Sequence, residues 1–192
     1  WTFTIIPTRE ALMAFGEQIR SFYMKLNIMA NNGLLRKFLK FIGKPELDTY
    51  YREYYQTVRE GLEEFDRSGV DGLFHGAPAA IVVGGKANAT LPREDALLAS
   101  QNILLAAHSM GLGSCLIGMA VEPMKRDIRI QNAIGIPNDE KVYAVVALGY
   151  TAEEYRRIAG RKKVTVRYFE PLQRKFPQSR IGGSLTISAK VR

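Results

Sequence analysis

The chain has one cysteine, one tryptophan and two histidines in 192 residues. A lone Cys115 closes no intrachain disulfide, so there is no cross-linked scaffold; this fits a reducing compartment, and a cytoplasmic location is expected. No metal site is expected either. No apolar run reaches the about 18 residues that a membrane-spanning helix needs. The opening residues Trp1-Thr2-Phe3-Thr4-Ile5-Ile6 lack the basic start of a secretory leader, and they read as the inside of a strand. There is no internal repeat and no low-complexity linker. Acidic residues are nearly missing from one end. Residues 156–192 hold eleven Lys and Arg against the single acid Glu170, so this stretch carries +10 of the net +8 and residues 1–155 sum to −2. The basic character belongs to a tail and does not by itself make the chain a nucleic-acid binder.

What is present is a soluble-type composition, 46% hydrophobic, in a length that suits one domain with a real core. Trp1–Ile6 alternates and is rich in β-formers, which predicts a strand ending at Pro7. Thr8 is placed to cap a helix over Arg9–Tyr23, with Leu12, Phe15, Ile19 and Phe22 at helical spacing. Asn31-Asn32-Gly33 breaks it. Leu34–Gly43 is a short basic amphipathic stretch; it is short for a membrane-surface helix, so a flap or plain packing is favoured. Pro45 restarts a helix through Glu46–Asp66. Its tyrosine row Tyr50, Tyr51, Tyr54 and Tyr55 reads as packing plus surface. Ala79–Val83 and Val142–Leu148 are buried strands, and Val164–Phe169 is a third strand candidate. The helix Arg93–Met110 is apolar on nearly every face, so it should be buried by its own domain or by a partner subunit. These elements predict an α+β or α/β sheet core wrapped by helices.

The segment Gly-Leu-Gly-Ser-Cys-Leu-Ile-Gly at 111–118 raises a choice between phosphate cradle, reactive cysteine and helix end. Gly111 suits the left-handed residue that ends a helix. Phosphate loops instead follow a strand and precede a helix, and the third glycine of the dinucleotide pattern and a Gly-Lys-Ser/Thr are both missing. Cys115 beside Leu116 and Ile117 reads as an inert small hydrophobe. What remains is a loop whose small residues let something large and flat approach the backbone.

The stretch 95–118, DALLASQNILLAAHSMGLGSCLIG, resembles the central helix and flavin loop of the nitroreductase family of FMN-dependent oxidoreductases. LFHGAPAAIVV at 73–83, the Gly-Ile-Pro turn and Leu-Gly-Tyr strand end within 133–169, and Trp1 fit the same family in order and spacing over residues 1–169. The ending YRRIAGRKKVTVRY is most similar to the branch that carries a ferredoxin-type iron–sulfur domain ahead of this one; no Cys-x-x-Cys run is present here. The resemblance implies an α+β three-layer sandwich, a mostly antiparallel sheet flanked by helices, in a homodimer with FMN at the interface. It implies an FMN-binding domain over 1–170 and a basic tail over 171–192. It implies that Leu116, Ile117, Gly118 and Met119 lie against the flavin, with the Gly118 amide donating to N5, and that Arg161 and Lys163 reach the flavin phosphate. Flavin N5 would carry the chemistry, so no catalytic side chain is expected. NAD(P)H or a ferredoxin-type donor would reduce the flavin, and a nitroaromatic, quinone or similar small acceptor would reoxidise it. The family's Arg-Ser-x-Arg-like phosphate segment and Pro-Ser/Thr loop would fall before Trp1, so an N-terminally incomplete domain is expected. The alternatives are a non-catalytic flavin binder, and a binder of acidic partners or nucleic acid through the basic tail. Against the latter, basic and aromatic residues interleave only at Arg167-Tyr168-Phe169 and Lys175-Phe176, so no nucleic-acid partner is expected, and no membrane partner.

Overall fold

The computed structural model describes residues 1–151, 160 and 162–169. The chain divides into two units, Trp1–Glu154 and Tyr155–Arg192, and every regular element described lies in the first. The described residues of the second unit, 160 and 162–169, are exposed and form no helix or strand. The expected strand Val164–Phe169 is therefore not formed. Its alternating pattern needs a neighbouring strand to bond to, and it has none among the described residues.

Four strands form one antiparallel sheet in the order β1-β2-β4-β3: β1 Thr2–Ile6, β2 Ala79–Lys86, β3 Gly113–Leu116 and β4 Glu140–Gly149. β2 and β4 are central and carry the near-continuous apolar runs that burial on both faces demands. Their register runs from Ala79 opposite Leu148 to Lys86 opposite Glu140, with a bulge that leaves Tyr143 unmatched between Ala144 and Val142. The bulge shifts the alternation, so Val142 and Val145 face the main core while Ala144 joins Val83 on the other face.

The main core lies between the sheet and α1 (Arg9–Asn31) with α6 (Gly118–Arg126) and α7 (Ile128–Ala133). Thr8 caps α1 as its spacing predicts, accepting from the Ala11 amide at 3.3 Å. Leu12, Phe15 and Ile19 are then buried one turn apart, each worth about 1.5–3 kcal/mol against exposure. α1 runs well past Tyr23 because Asn27 and Ala30 keep its inner face buried. On the opposite face of the sheet, α5 (Pro92–Ser109) packs through Ala96, Ala99 and Ile103. The result is the α+β three-layer arrangement of helices flanking an antiparallel sheet. α5 is only half covered: Leu97, Leu98 and Leu105 are exposed in the single chain.

Between α1 and β2 the chain makes an excursion of α2 (Gly33–Phe41), α3 (Glu46–Glu53) and α4 (Tyr55–Ser68). The single helix expected over Glu46–Asp66 is broken at Tyr54, whose φ and ψ of −125° and −25° leave the helical range. α3 and α4 both pack on α1, and the break lets each half follow it. The tyrosine row spans the break, with Tyr50 on Tyr54 and Tyr51 on Tyr55. α2 has no fully buried residue; Leu35 and Leu39 are half-buried where it packs on α1 and α3, while Phe38 and Ile42 on the same side stay exposed.

The excursion returns through the loop before β2, which is organised by Asp71. Its carboxylate accepts from Arg9 Nη1 at 2.6 Å and from the amides of Leu73, Phe74 and Gly76. Burial would raise this carboxyl, but the Phe74 amide, the Arg9 guanidinium and the Gly76 amide more than offset it and hold it below the usual range. Arg9 also donates to the Ala77 carbonyl at 3.0 Å, which anchors the Ala-Pro entry into β2 to the start of α1. The Gly-Ile-Pro turn before β4 is held similarly, by the buried Gln131 amide donating to the Pro137 and Glu140 carbonyls.

Candidate functional site

The segment 111–119 runs from the end of α5, along the edge of the sheet and into α6. Gly111 has φ +74°, and the amides of Gly111 and Leu112 donate to the carbonyls of His108 and Ala107. This pair of bonds is the Schellman closure that a left-handed glycine permits, as Gly111 predicts. The expected loop is absent beyond it. Gly113–Leu116 pairs with β4 as an edge strand, from Gly113 opposite Gly149 to Leu116 opposite Val146. The Ile117 amide extends the ladder to the Val145 carbonyl at 2.8 Å, and α6 starts at Gly118. The segment thus leads from a strand into a helix N-terminus after all, the polarity that the helix-end reading excludes.

The four residues expected against a flavin separate into two kinds. Ile117 is 4% exposed, its side chain belongs to the main core, and its amide is already bonded, so it serves the fold. Leu116 and Met119 are exposed, and Gly118 has nothing within 4 Å of where a Cβ would stand. No side chain caps α6. The amides of Gly118 and Met119, in its first turn, therefore have no intrahelical acceptor and carry the positive end of the helix dipole.

This turn is braced from α1. The Tyr23 hydroxyl donates to the Met119 carbonyl at 2.9 Å. Burial, with the Tyr50 ring and Glu122 nearby, pushes the Tyr23 hydroxyl well above the ordinary tyrosine range, so it stays a donor at neutral pH. One turn along α1, Asn27 accepts from the Tyr50 hydroxyl at 2.7 Å, while its buried Nδ2 has no partner among the described residues. Burial likewise raises Tyr50, to about 12. Sequence patterning singles out neither Tyr23 nor Asn27; a polar residue on the inner stripe of α1 is the signal that could have found them.

Met119 also lines a cleft of about 540 Å³ between α1 and α4, whose walls include Ile19, Tyr23, Val58, Leu62 and Phe74. Cys115 is free and exposed. Among the described residues no cluster of three His, Cys, Asp or Glu could hold a metal, and no helix is long and apolar enough to cross a membrane. Lys163 is exposed in the second unit; Arg161 and the tail 171–192 lie outside the described residues.

Comparison with known proteins agrees with the fold. A nitroreductase from Desulfitobacterium hafniense solved with bound FMN is 18% identical, covers 87% of this chain and 76% of its own, and superposes with a TM-score of 0.55. One from Bacteroides fragilis, also with bound FMN, is 21% identical with a TM-score of 0.51 over 86% of this chain and 72% of its own. These likenesses establish the fold. A protein of Methanothermobacter thermautotrophicus named "Putative NADH dehydrogenase/NAD(P)H nitroreductase" is 44% identical over 61 residues. That match spans 31% of this chain and 31% of the relative, so the chain aligns with about a third of the curated relative's length. The family profile described as the nitroreductase family matches residues 1–150, the whole helix-flanked sheet, and the chain belongs to the nitroreductase family.

Proposed function

We propose that this chain is the flavin-carrying body of an FMN-dependent oxidoreductase. It would pass electrons from NAD(P)H, or from a ferredoxin-type donor, to small acceptors such as nitroaromatics or quinones. The observation that carries this reading is the uncapped start of α6. Gly118 leaves open space at the backbone, and the uncapped amides of Gly118 and Met119 would be donors for an electron-rich edge such as flavin N5. The buried Asn27 Nδ2 is a further donor in want of an acceptor, one turn along α1 from the tyrosine that braces Met119. These residues fit a flat heterocycle with several acceptors on its rim.

Bound FMN supplies the two-electron chemistry. The chain's own tasks are to hold the ring edge with backbone amides, to keep Leu116 and Met119 against it as apolar contacts, and to keep that backbone from shifting. Arg161 and Lys163, by the family resemblance, would neutralise the phosphate, for which arginine's forked donors are suited. A homodimer is part of the proposal. The exposed Leu97, Leu98 and Leu105 on α5 are what a two-fold partner would cover.

The test is a visible spectrum of the protein titrated with FMN, then with NADH or NADPH under anaerobic conditions. A shifted flavin band that bleaches on reductant supports the proposal. Flavin binding without bleaching would point to a flavin carrier, and no binding would overturn it.

A further inference from the structure

The cleft between α1 and α4 touches the proposed flavin site through Met119 and Tyr23, and the rest of its lining belongs to α1, the α3–α4 segment and the loop before β2. Its volume of about 540 Å³ lies within the size range of small-molecule sites. Its walls are apolar and carry the rings of Tyr23, Tyr54, Phe65 and Phe74. Tyr54 sits at the break between α3 and α4, stacks on Tyr50 and is half exposed, so part of its ring reaches the solvent.

The charges around it have one sign to spare. Arg20, the basic residue of the lining, is shared between Glu17 and Asp66 and lies over the Phe65 ring. Asp71 is matched by Arg9. Glu53, also in the lining, makes no ion pair among the described residues. One carboxylate of the Glu17–Asp66 pair and that of Glu53 are therefore uncompensated. Aromatic faces together with surplus negative charge attract cations through the ring quadrupole and by simple Coulomb attraction, and they repel anions.

We propose that this cleft binds a flat, positively charged aromatic molecule. The ring system would slide between α1 and α4, and its charge would sit toward Glu17 and Glu53. The cleft shares Met119 and Tyr23 with the flavin assignment, but the inference rests on its aromatic walls and its charges, and dye binding measured without FMN tests it independently of that assignment.

The test uses the full chain, with the cationic dye proflavine as probe and the anionic dye 1-anilinonaphthalene-8-sulfonate as competitor. Gly61 lines the cleft and a Cβ there would meet nothing within 4 Å, so Gly61→Leu is chosen to extend a side chain into the cleft. Saturable proflavine binding is expected. Gly61→Leu should weaken it by roughly tenfold or more, because the filled cleft excludes the ring. Glu17→Gln with Glu53→Gln should weaken it several-fold, and the anionic dye should not displace it. Binding unchanged in Gly61→Leu would place the dye elsewhere and overturn the proposal. So would displacement by the anionic dye, or indifference to the double Glu→Gln change. The double variant also carries the test alone should Gly61→Leu fail to fold.

Discussion

The Tyr23 hydroxyl fills a hydrogen-bonding place that Pro123 leaves empty. The Met119 carbonyl would ordinarily accept from the amide four residues on, but that residue is Pro123, inside α6, and proline has no N–H. The hydroxyl 2.9 Å away takes its place. Tyr23→Phe should therefore cost about 1–2 kcal/mol, the penalty of a stranded acceptor plus a lost bond, measured by chemical denaturation. Pro123→Ala gives the carbonyl an alternative donor within the helix. Tyr23→Phe should then cost less in the Pro123→Ala background than alone, a non-additivity that a double-mutant cycle reads directly.

The flavin proposal turns on one amide. Gly118 is the first residue of α6, where proline is well accepted because that amide has no intrahelical acceptor. Gly118→Pro should leave the circular dichroism of the chain unchanged while abolishing or strongly weakening FMN binding. Gly118→Ala keeps the N–H and meets no protein atom within 4 Å, so it should fold normally and lose less FMN affinity than Gly118→Pro, its Cβ narrowing the open space while the donor remains. Equal FMN affinity in all three would remove the Gly118 amide from the site.

Asp71 predicts an acid-sensitive loop. The fold lowers this carboxyl below its ordinary value of 3.8, so the folded state favours the ionised form. The stabilisation is complete above that ordinary value and is lost as pH falls through it toward the folded one. Asp71→Asn should destabilise the chain by about 1–3 kcal/mol at neutral pH, because Arg9 loses its partner and three amides keep a weaker acceptor. Below about pH 4 the gap between the two proteins should narrow, as thermal melts across pH would show.

Two glycines should respond oppositely to alanine. At Gly61, in the middle of α4, alanine removes the flexibility of a helical glycine and should stabilise by about 0.5–1 kcal/mol. At Gly149 a Cβ would lie 2.8 Å from Pro78 Cδ, at the close crossing of the β4 end and the Ala-Pro turn. Gly149→Ala should destabilise by about 1–3 kcal/mol, the usual range for overpacking. Denaturation midpoints of the two variants settle both signs.

Much of the frame could be read from local chemistry. Thr8 has the side chain that caps a helix, Gly111 the freedom to end one, and Ala79–Val83 the apolar run of a central strand; each acts where the sequence placed it. The parts that escape such a reading are those set by partners far along the chain. β3 is four residues long and exists because β4 bonds to it; its glycine and serine look like a loop. The break at Tyr54 has neither proline nor glycine to mark it and comes from two helices following α1. α6 hides behind Pro123, which reads as a breaker until Tyr23 is seen to supply the missing donor. Within the site, the family resemblance points to Leu116–Met119, but only the structure separates Ile117, committed to core and ladder, from Gly118, whose amide is free to bind.

The bulge at Tyr143 has a last consequence. Upstream of it, the even-numbered Val142 looks into the main core; downstream, the odd-numbered Val145 and Ala147 do. The strand therefore behaves as two short strands spliced out of phase. The half beside β3, which sets where the Ile117 amide docks on the Val145 carbonyl, keeps its own rhythm whatever happens in the half that leaves the Gly-Ile-Pro turn. Removing the single residue Tyr143 would splice the halves into one unbroken alternation, with Val142, Val145 and Ala147 still on the core face and Ala144 still opposite them, and would take away the bend and extra twist that a bulge adds to its strand.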